Sequence, residues 1–256
     1  MFVAAYWMEL SNLGDAITPF LIEKMTGKKA YHANPLDDVR KYMITGSILN
    51  WDVKKAVVYG CGLANKNDIV PTDKEIHGVR GVLTGDILKR QSIDFQEIYG
   101  DPALLLPRFV QPSEQHEKTK IGVLPHYVDQ HIVISKNLEW GNDVIFLDIL
   151  GDLHTLIDQI NQCKIVYAST LHGIIFCHAY GIPCYWTKFS DNVLGDDMKF
   201  YDHYTALYVP VADVQFLDLR GFSKIDFKKL PQKPYIPNFD TIKHVEQRLF
   251  DNFPKI

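Results

Sequence analysis

The stretch KIVYASTLHGIIFCHAYGIPCYW, residues 164–186, decides the reading of this chain. Ile165-Val166-Tyr167-Ala168 has the apolar run of a buried strand, and Ser169 and Thr170 end it. Leu171-His172-Gly173 then opens an apolar helix that stops at Gly181-Ile182-Pro183. Ser and Thr are good helix caps, and a Gly followed by Pro is a good helix stop. The order strand, tight turn, helix, strand predicts an α/β protein with a parallel sheet. It also puts His172 in the first turn of a helix. Unpaired N–H groups and a partial positive charge make such a turn a seat for anions. An imidazole there suits acid–base chemistry on a phosphorylated or carboxylated substrate. The other reading is a histidine that merely packs or hydrogen-bonds at a helix end.

Outward from this unit, the same alternation recurs. Toward the N-terminus the pattern predicts a strand at 2–7 and a helix at 16–25, with Pro19 near its first turn. Residues 37–45 read as moderately helical and 46–50 as a short strand. A buried strand at 56–59 runs into Gly60-Cys61-Gly62-Leu63, where two glycines let backbone approach a ligand closely. The third glycine of a dinucleotide fingerprint is missing. A strand within 74–79 and a helix from Arg80-Gly81 to about Lys89 follow, then Gly100-Asp101-Pro102, which is either a functional turn or only a strand-end turn. The polar segment 113–119 reads as a domain boundary. Beyond it, a strand at 121–124 leads into Pro125-His126-Tyr127-Val128-Asp129, and a strand at 144–147 precedes an amphipathic helix at 153–163. Strands are expected at 183–186 and 207–209. The Lys- and Pro-rich stretch 222–237 reads as a linker before a last helix, 240–253, capped by Asp240 or Thr241. The expected organisation is an N-terminal domain, 1–116, a C-terminal domain, 117–237, and a helix in 238–256 that packs back on the first domain. Both domains are expected to be Rossmann-like parallel-sheet halves.

Composition narrows the function. The chain has 256 residues, 46% hydrophobic and 23% charged, with a net charge of −4, which argues for a globular fold and against a nucleic-acid binder. The opening MFVAAYWMEL lacks the basic start of a signal peptide, and no apolar run reaches the ~18–20 residues of a membrane span. A cytoplasmic location is the expectation. Cys61, Cys163, Cys177 and Cys184 form no CxxC pair and read as buried structural residues, with no disulfide or zinc framework.

Several loops could carry chemistry. Asn12-Leu13-Gly14-Asp15 follows the first strand and is either a substrate loop, with Asp15 gripping a hydroxyl, or a capped turn. Arg80 is either a clamp for a carboxylate or phosphate, or a surface arginine. The loop bearing His126, Tyr127 and Asp129 is a binding loop or a packed one. DDMKFYDHY, residues 196–204, could line an acceptor groove or simply be a loop, and the basic run 224–233 could face an anionic membrane or only water.

In order, the chain carries N-x-G-D, G-x-G-L, V-R-G-x-x-T, G-D-P-A-x-L-L-P, I-G-V-x-P-H-Y-V-D and S-x-L-H-G-x-I-x-x-x-A-x-G-I-P. Over roughly residues 8–187 this series resembles the polysaccharide pyruvyl transferase family. The resemblance implies a glycosyltransferase-B-like architecture, with two halves facing across a cleft. It implies transfer of the pyruvyl group of phosphoenolpyruvate to a sugar of a cell-surface or exopolysaccharide precursor, closing a cyclic ketal. No metal or organic cofactor is implied. The acceptor would be a lipid-linked oligosaccharide or glycan, which extends the location to the inner face of a membrane. The oligomeric state is left open. Carried over by position, His172 becomes the general acid and Asp15 its catalytic partner. Arg80, Leu171, Thr170, Ser169 and Gly173 would bind the donor. Asn12, Gly14, Gly60, Gly62, His126, Tyr127 and Asp129 would line the cleft or hold the acceptor. Many relatives place an arginine where this chain has Thr170, so donor binding would lean on Arg80, the helix N-terminus, and Lys188 or Arg108. The alternatives are a nucleotide-sugar glycosyltransferase and a non-catalytic glycan-binding relative.

Overall fold

A computed structural model of the chain describes every residue except 10–11, 115–116, 137–140, 235 and 256. Parts of the expected first turn, of the 113–119 boundary and of the 222–237 stretch thus lie outside the described residues.

Among the described residues, ten strands form two five-stranded, wholly parallel sheets. The first comprises β1 (Phe2–Ala5), β2 (Lys29–His32), β3 (Lys41–Met43), β4 (Ala56–Tyr59) and β5 (Glu75–Gly78), in the order β2-β1-β3-β4-β5. The second comprises β6 (Lys120–Leu124), β7 (Val144–Phe146), β8 (Cys163–Ala168), β9 (Cys184–Lys188) and β10 (Phe216–Asp218), in the order β10-β9-β8-β6-β7. The two orders are the same when each half is counted from its own first strand. In each, the chain leaves in opposite directions from two adjacent strands, β1 and β3 or β6 and β8. Such a switch point opens a crevice at the carboxyl ends of the strands, where α/β proteins bind ligands.

The helices follow from local sequence. Asn12 caps α1 (Leu13–Thr26) by accepting from Gly14 N at 3.1 Å, and Gly27, at φ +70°, ends it. The helix therefore starts before residue 16, and Pro19 lies inside it. In the second half, α3 (Gln130–Lys136), α4 (Leu153–Asn161), α5 (Leu171–Ala179) and α6 (Met198–Ala206) alternate with strands. Helix α5 is buried along its whole length, as its nearly unbroken apolar sequence requires. Helix α2 (Val82–Arg90) packs against α6, and α7 (Phe239–Asp251) lies on the 3-10 turn Pro102–Arg108. The Tyr59 hydroxyl of the first half donates to the Leu249 carbonyl at 2.6 Å. One apolar cluster runs from Val3 and Tyr59 through Ile174 and Trp186 to Leu249, so the two halves share a core.

Five local expectations are corrected. Residues 37–45 contain β3 rather than a helix, because β1 and β4 claim Lys41–Met43 for the sheet; Lys41 feeds its ammonium to the carbonyls of Asp37, Val39 and Lys54. No strand forms at 46–50: Gly46, at φ +95°, turns the chain, and Ile48 and Leu49 drop into the core. Residues 207–209 end α6, with Tyr208 at φ +58°, and the strand comes later, at Phe216–Asp218. The stretch 222–237 is a strap rather than a free linker: Ile225 and Phe227 are buried against the second sheet, and Tyr167 and Tyr185 donate to the carbonyls of Pro231 and Lys233. The last helix is capped by Asn238, not by Asp240 or Thr241. All four cysteines are buried thiols. Among the described residues no helix is long and apolar enough to cross a membrane.

Candidate functional site

The loops after the two pairs of switch-point strands meet around a cleft of about 240 Å³. Met8, Asn12 and Asp15 enter after β1, and Ser47, Ile48 and Trp51 after β3. His126 and Tyr127 enter after β6, Thr170, Leu171 and His172 after β8, and Lys199 from α6. The cleft therefore lies where the repeated topology puts it, with the first turns of α1 and α5 converging on it.

His172 is 6% exposed and lines this cleft. Gly14 makes its position possible: a Cβ there would stand 2.0 Å from His172 Nδ1, so only a glycine lets α1 come this close to the ring. Asp15 is anchored by Asn12, whose side-chain N–H donates to its carboxylate at 3.2 Å. Burial raises the Asp15 carboxyl above the ordinary range; the electrostatic influence of His172 works against that rise, and the charge of Asp101 adds to it.

Two histidines face the cleft, and their environments separate them. Burial pushes His126 down to about 4, helped by repulsion from Lys199 and from His172. Its Nδ1 accepts from Val128 N at 3.4 Å, and its ring lies against Tyr127 at 4.4 Å between centroids. His126 is thus a neutral hydrogen-bonding ring at neutral pH.

Lys199 is the residue that motif reasoning missed. It belongs to the 196–204 segment singled out as a candidate groove, but nothing in the spacing marks that lysine among its polar neighbours. Its ammonium donates to the Leu194 carbonyl at 2.8 Å, and burial, then repulsion from Arg80, pushes it down to about 8. Helix α5 adds to the positive field: its first turn borders the cleft, and the Thr170 side chain makes no capping hydrogen bond to it.

Other expected residues sit behind the wall. Arg80 is not a surface residue: it is fully buried, giving Nε to Asp202 at 3.1 Å, Nη1 to Ser47 at 2.6 Å and Nη2 to the Leu63 carbonyl at 2.6 Å, and it does not line the cleft. Asp202 also accepts from the Thr84 backbone and hydroxyl. This network ties α2 to α6 and so holds Lys199 in place. Gly60 and Gly62 do not line the cleft; a Cβ would lie 2.1 Å from Pro102 at the first and 2.4 Å from the Arg80 guanidinium at the second. Asp129 is a buried brace, accepting from the hydroxyls of Ser169 and Ser190. Ser169 in turn accepts from His126 N at 2.8 Å, which fixes the His126 loop to the end of β8. Gly173 lets α5 pack on Leu124. Of the two cations named to replace an arginine at 170, Lys188 pairs with Asp197 beside a neighbouring cavity. Arg108 pairs with Glu246 on α7. Neither lines the cleft.

Comparison with known proteins bears on the same region. The sequence profile described as polysaccharide pyruvyl transferase matches residues 27–191. An uncharacterized protein of Acanthamoeba polyphaga mimivirus is 35% identical over 207 residues, covering 77% of this chain and 71% of that protein. No solved structure matches.

Proposed function

Since the chain belongs to the polysaccharide pyruvyl transferase family, we propose that it moves the pyruvyl group of phosphoenolpyruvate onto two hydroxyls of a sugar, in the cleft between its halves. The observation that carries this reading is the meeting, in one small cleft, of a proton donor, a carboxylate and an anion seat: His172, Asp15, and Lys199 beside the open first turn of α5. At about 240 Å³ the cleft lies below the ~300–1,000 Å³ of sites that enclose drug-sized ligands. That size suits a small dianionic donor better than a nucleotide sugar.

The chemistry follows from the groups. Lys199 and the α5 N–H groups hold the donor's phosphate and carboxylate. His172 delivers a proton to the methylene carbon of the enol, and the double-bond electrons form the new C–H bond. The adjacent carbon, left cationic, is attacked by a sugar hydroxyl, whose proton passes to Asp15. A carboxylate made more basic by burial is suited to that acceptance. The C–O bond to phosphate then breaks, and phosphate leaves with the electron pair. Asp15 passes that first proton on to the departing phosphate; the second hydroxyl adds to the same carbon and closes the ketal, and its proton, taken by Asp15 in turn, returns through solvent to His172 and restores both groups. Neutral His126 and the rings of Tyr127 and Trp51 offer a donor and apolar faces to the sugar.

Thermal-shift titration tests the donor. Stabilisation by phosphoenolpyruvate, lost in Lys199→Ala, is the expected result. Stabilisation by a nucleotide sugar with none by phosphoenolpyruvate would favour the glycosyltransferase reading instead.

A further inference from the structure

Among the described residues, Asp101 Oδ2 and His172 Nε2 are both buried side-chain atoms without a hydrogen-bond partner, and they face each other at 3.6 Å. Asp101 has no exposure at all. Its other oxygen, Oδ1, is fixed by Ala103 N at 2.9 Å, and its own carbonyl accepts from Leu104 N at 2.9 Å. The turn bearing it is wedged from both sides: Pro102 fills the space above Gly60, and Leu249 and Val245 of α7 fill the space above Gly100. Oδ2 is therefore aimed, and among the described residues the unpartnered buried atom it faces is Nε2 of the imidazole. Among the described residues the remaining ring nitrogen, Nδ1, has no hydrogen bond; it lies beside Gly14, on a side chain that lines the cleft.

We infer that Asp101 is the positioning residue of the site, holding His172 through Nε2–H so that Nδ1 is the nitrogen that presents the proton to the substrate. An uncompensated buried carboxylate and an unpaired buried N–H are each costly alone and satisfy each other as a pair. A distance of 3.6 Å is slack for a hydrogen bond, as catalytic contacts often are before substrate closes the site. A carboxylate directly behind the ring keeps the neutral imidazole in the Nε2–H form once the proton is given up. Asp101 touches no substrate and acts only through the ring.

The role of His172 rests on the transferase reading above, but the tautomer is measurable without any substrate. Nitrogen-15 spectra of the ligand-free protein, with the His172 signals assigned by their loss in His172→Gln, should show the neutral ring protonated on Nε2. Asp101→Asn keeps the bond to Ala103 N and turns an amide N–H₂ toward the ring, so the neutral tautomer should switch to Nδ1–H. With phosphoenolpyruvate and acceptor, kcat should fall by about 10²–10⁴-fold while KM for the donor stays close to wild type. An Nδ1–H tautomer in the wild-type protein overturns the proposal, and so does a folded Asp101→Asn variant with unchanged kcat. The wild-type spectrum decides even if that variant does not fold. Absence of turnover in the wild-type protein would count against the donor assignment and leave the tautomer result standing.

Discussion

Gly14→Ala is the sharpest perturbation of the site. The substitution adds one methyl group in the first turn of α1, at a position with no positive φ, so the backbone accepts it. That methyl would stand 2.0 Å from His172 Nδ1, 2.3 Å from Cγ and 2.7 Å from Cβ. Restoring ordinary van der Waals contact requires the ring to retreat by about 1.4 Å. A misplacement of about 1 Å at a reacting group costs about 10²-fold in rate. Stability should change little: Ala gains about 1 kcal/mol of helix propensity over Gly, against about 1–3 kcal/mol for the crowding. The assay is phosphate release from phosphoenolpyruvate with acceptor present, alongside a thermal melt. The expected outcome is a protein with a near-normal midpoint and kcat reduced about 10²-fold or more. A folded Gly14→Ala protein with wild-type kcat would refute the claim that the imidazole must sit where it does.

Further outcomes follow from the same geometry. Lys199→Ala should raise KM for the donor about 10–100-fold, the loss of one charge-assisted contact of about 1.5–3 kcal/mol, and in the wild-type protein that KM should climb as pH rises through about 8, where the ammonium loses its charge. Asp15→Asn should lower kcat by about 10²–10⁴-fold yet raise the melting temperature at neutral pH. The sign follows from the raised carboxyl: ionised Asp15 is the costly form in the folded state, so the cost is fully present above its raised value and is shed as pH falls toward the ordinary carboxylate range. The stabilisation by Asn should therefore vanish in acid, which melts across a pH series would show. Arg80→Ala should destabilise by about 3–5 kcal/mol by stranding the buried Asp202 carboxylate, and urea unfolding should reveal it; a folded, equally stable variant with only weaker donor binding would restore Arg80 as a clamp.

What was legible in the sequence is what local physics decides. The unbroken apolar run ending in Ser169-Thr170 marks β8, and the apolar helix after it is α5, stopped by Gly181 and Ile182-Pro183. Ala56–Tyr59 is a strand with the boundaries its residues predict. The alternation of such units implies two parallel sheets, although the identical strand order of the halves is a tertiary property and leaves no mark on spacing. Residues 37–45 misled because Lys41 and Tyr42 owe their extended form to β1 and β4 on either side, not to their own preferences. Arg80 was visible as a residue but not as a buried one: its partners Ser47, Leu63 and Asp202 come from three separate segments. Lys199 stayed hidden for the same reason, as one lysine in a polar helix start. Asp101 was visible as part of a turn, functional or merely ending a strand, but its partner was not until the fold set its free oxygen against His172.

The most direct measurement is the mass of the product formed from phosphoenolpyruvate and a library of lipid-linked sugars, with phosphate counted in the same reaction. The account predicts a sugar carrying one pyruvyl ketal for each phosphate released, and neither product with His172→Gln. Ketal formation that persists at the wild-type rate in His172→Gln, or no phosphate release from any acceptor, would contradict it.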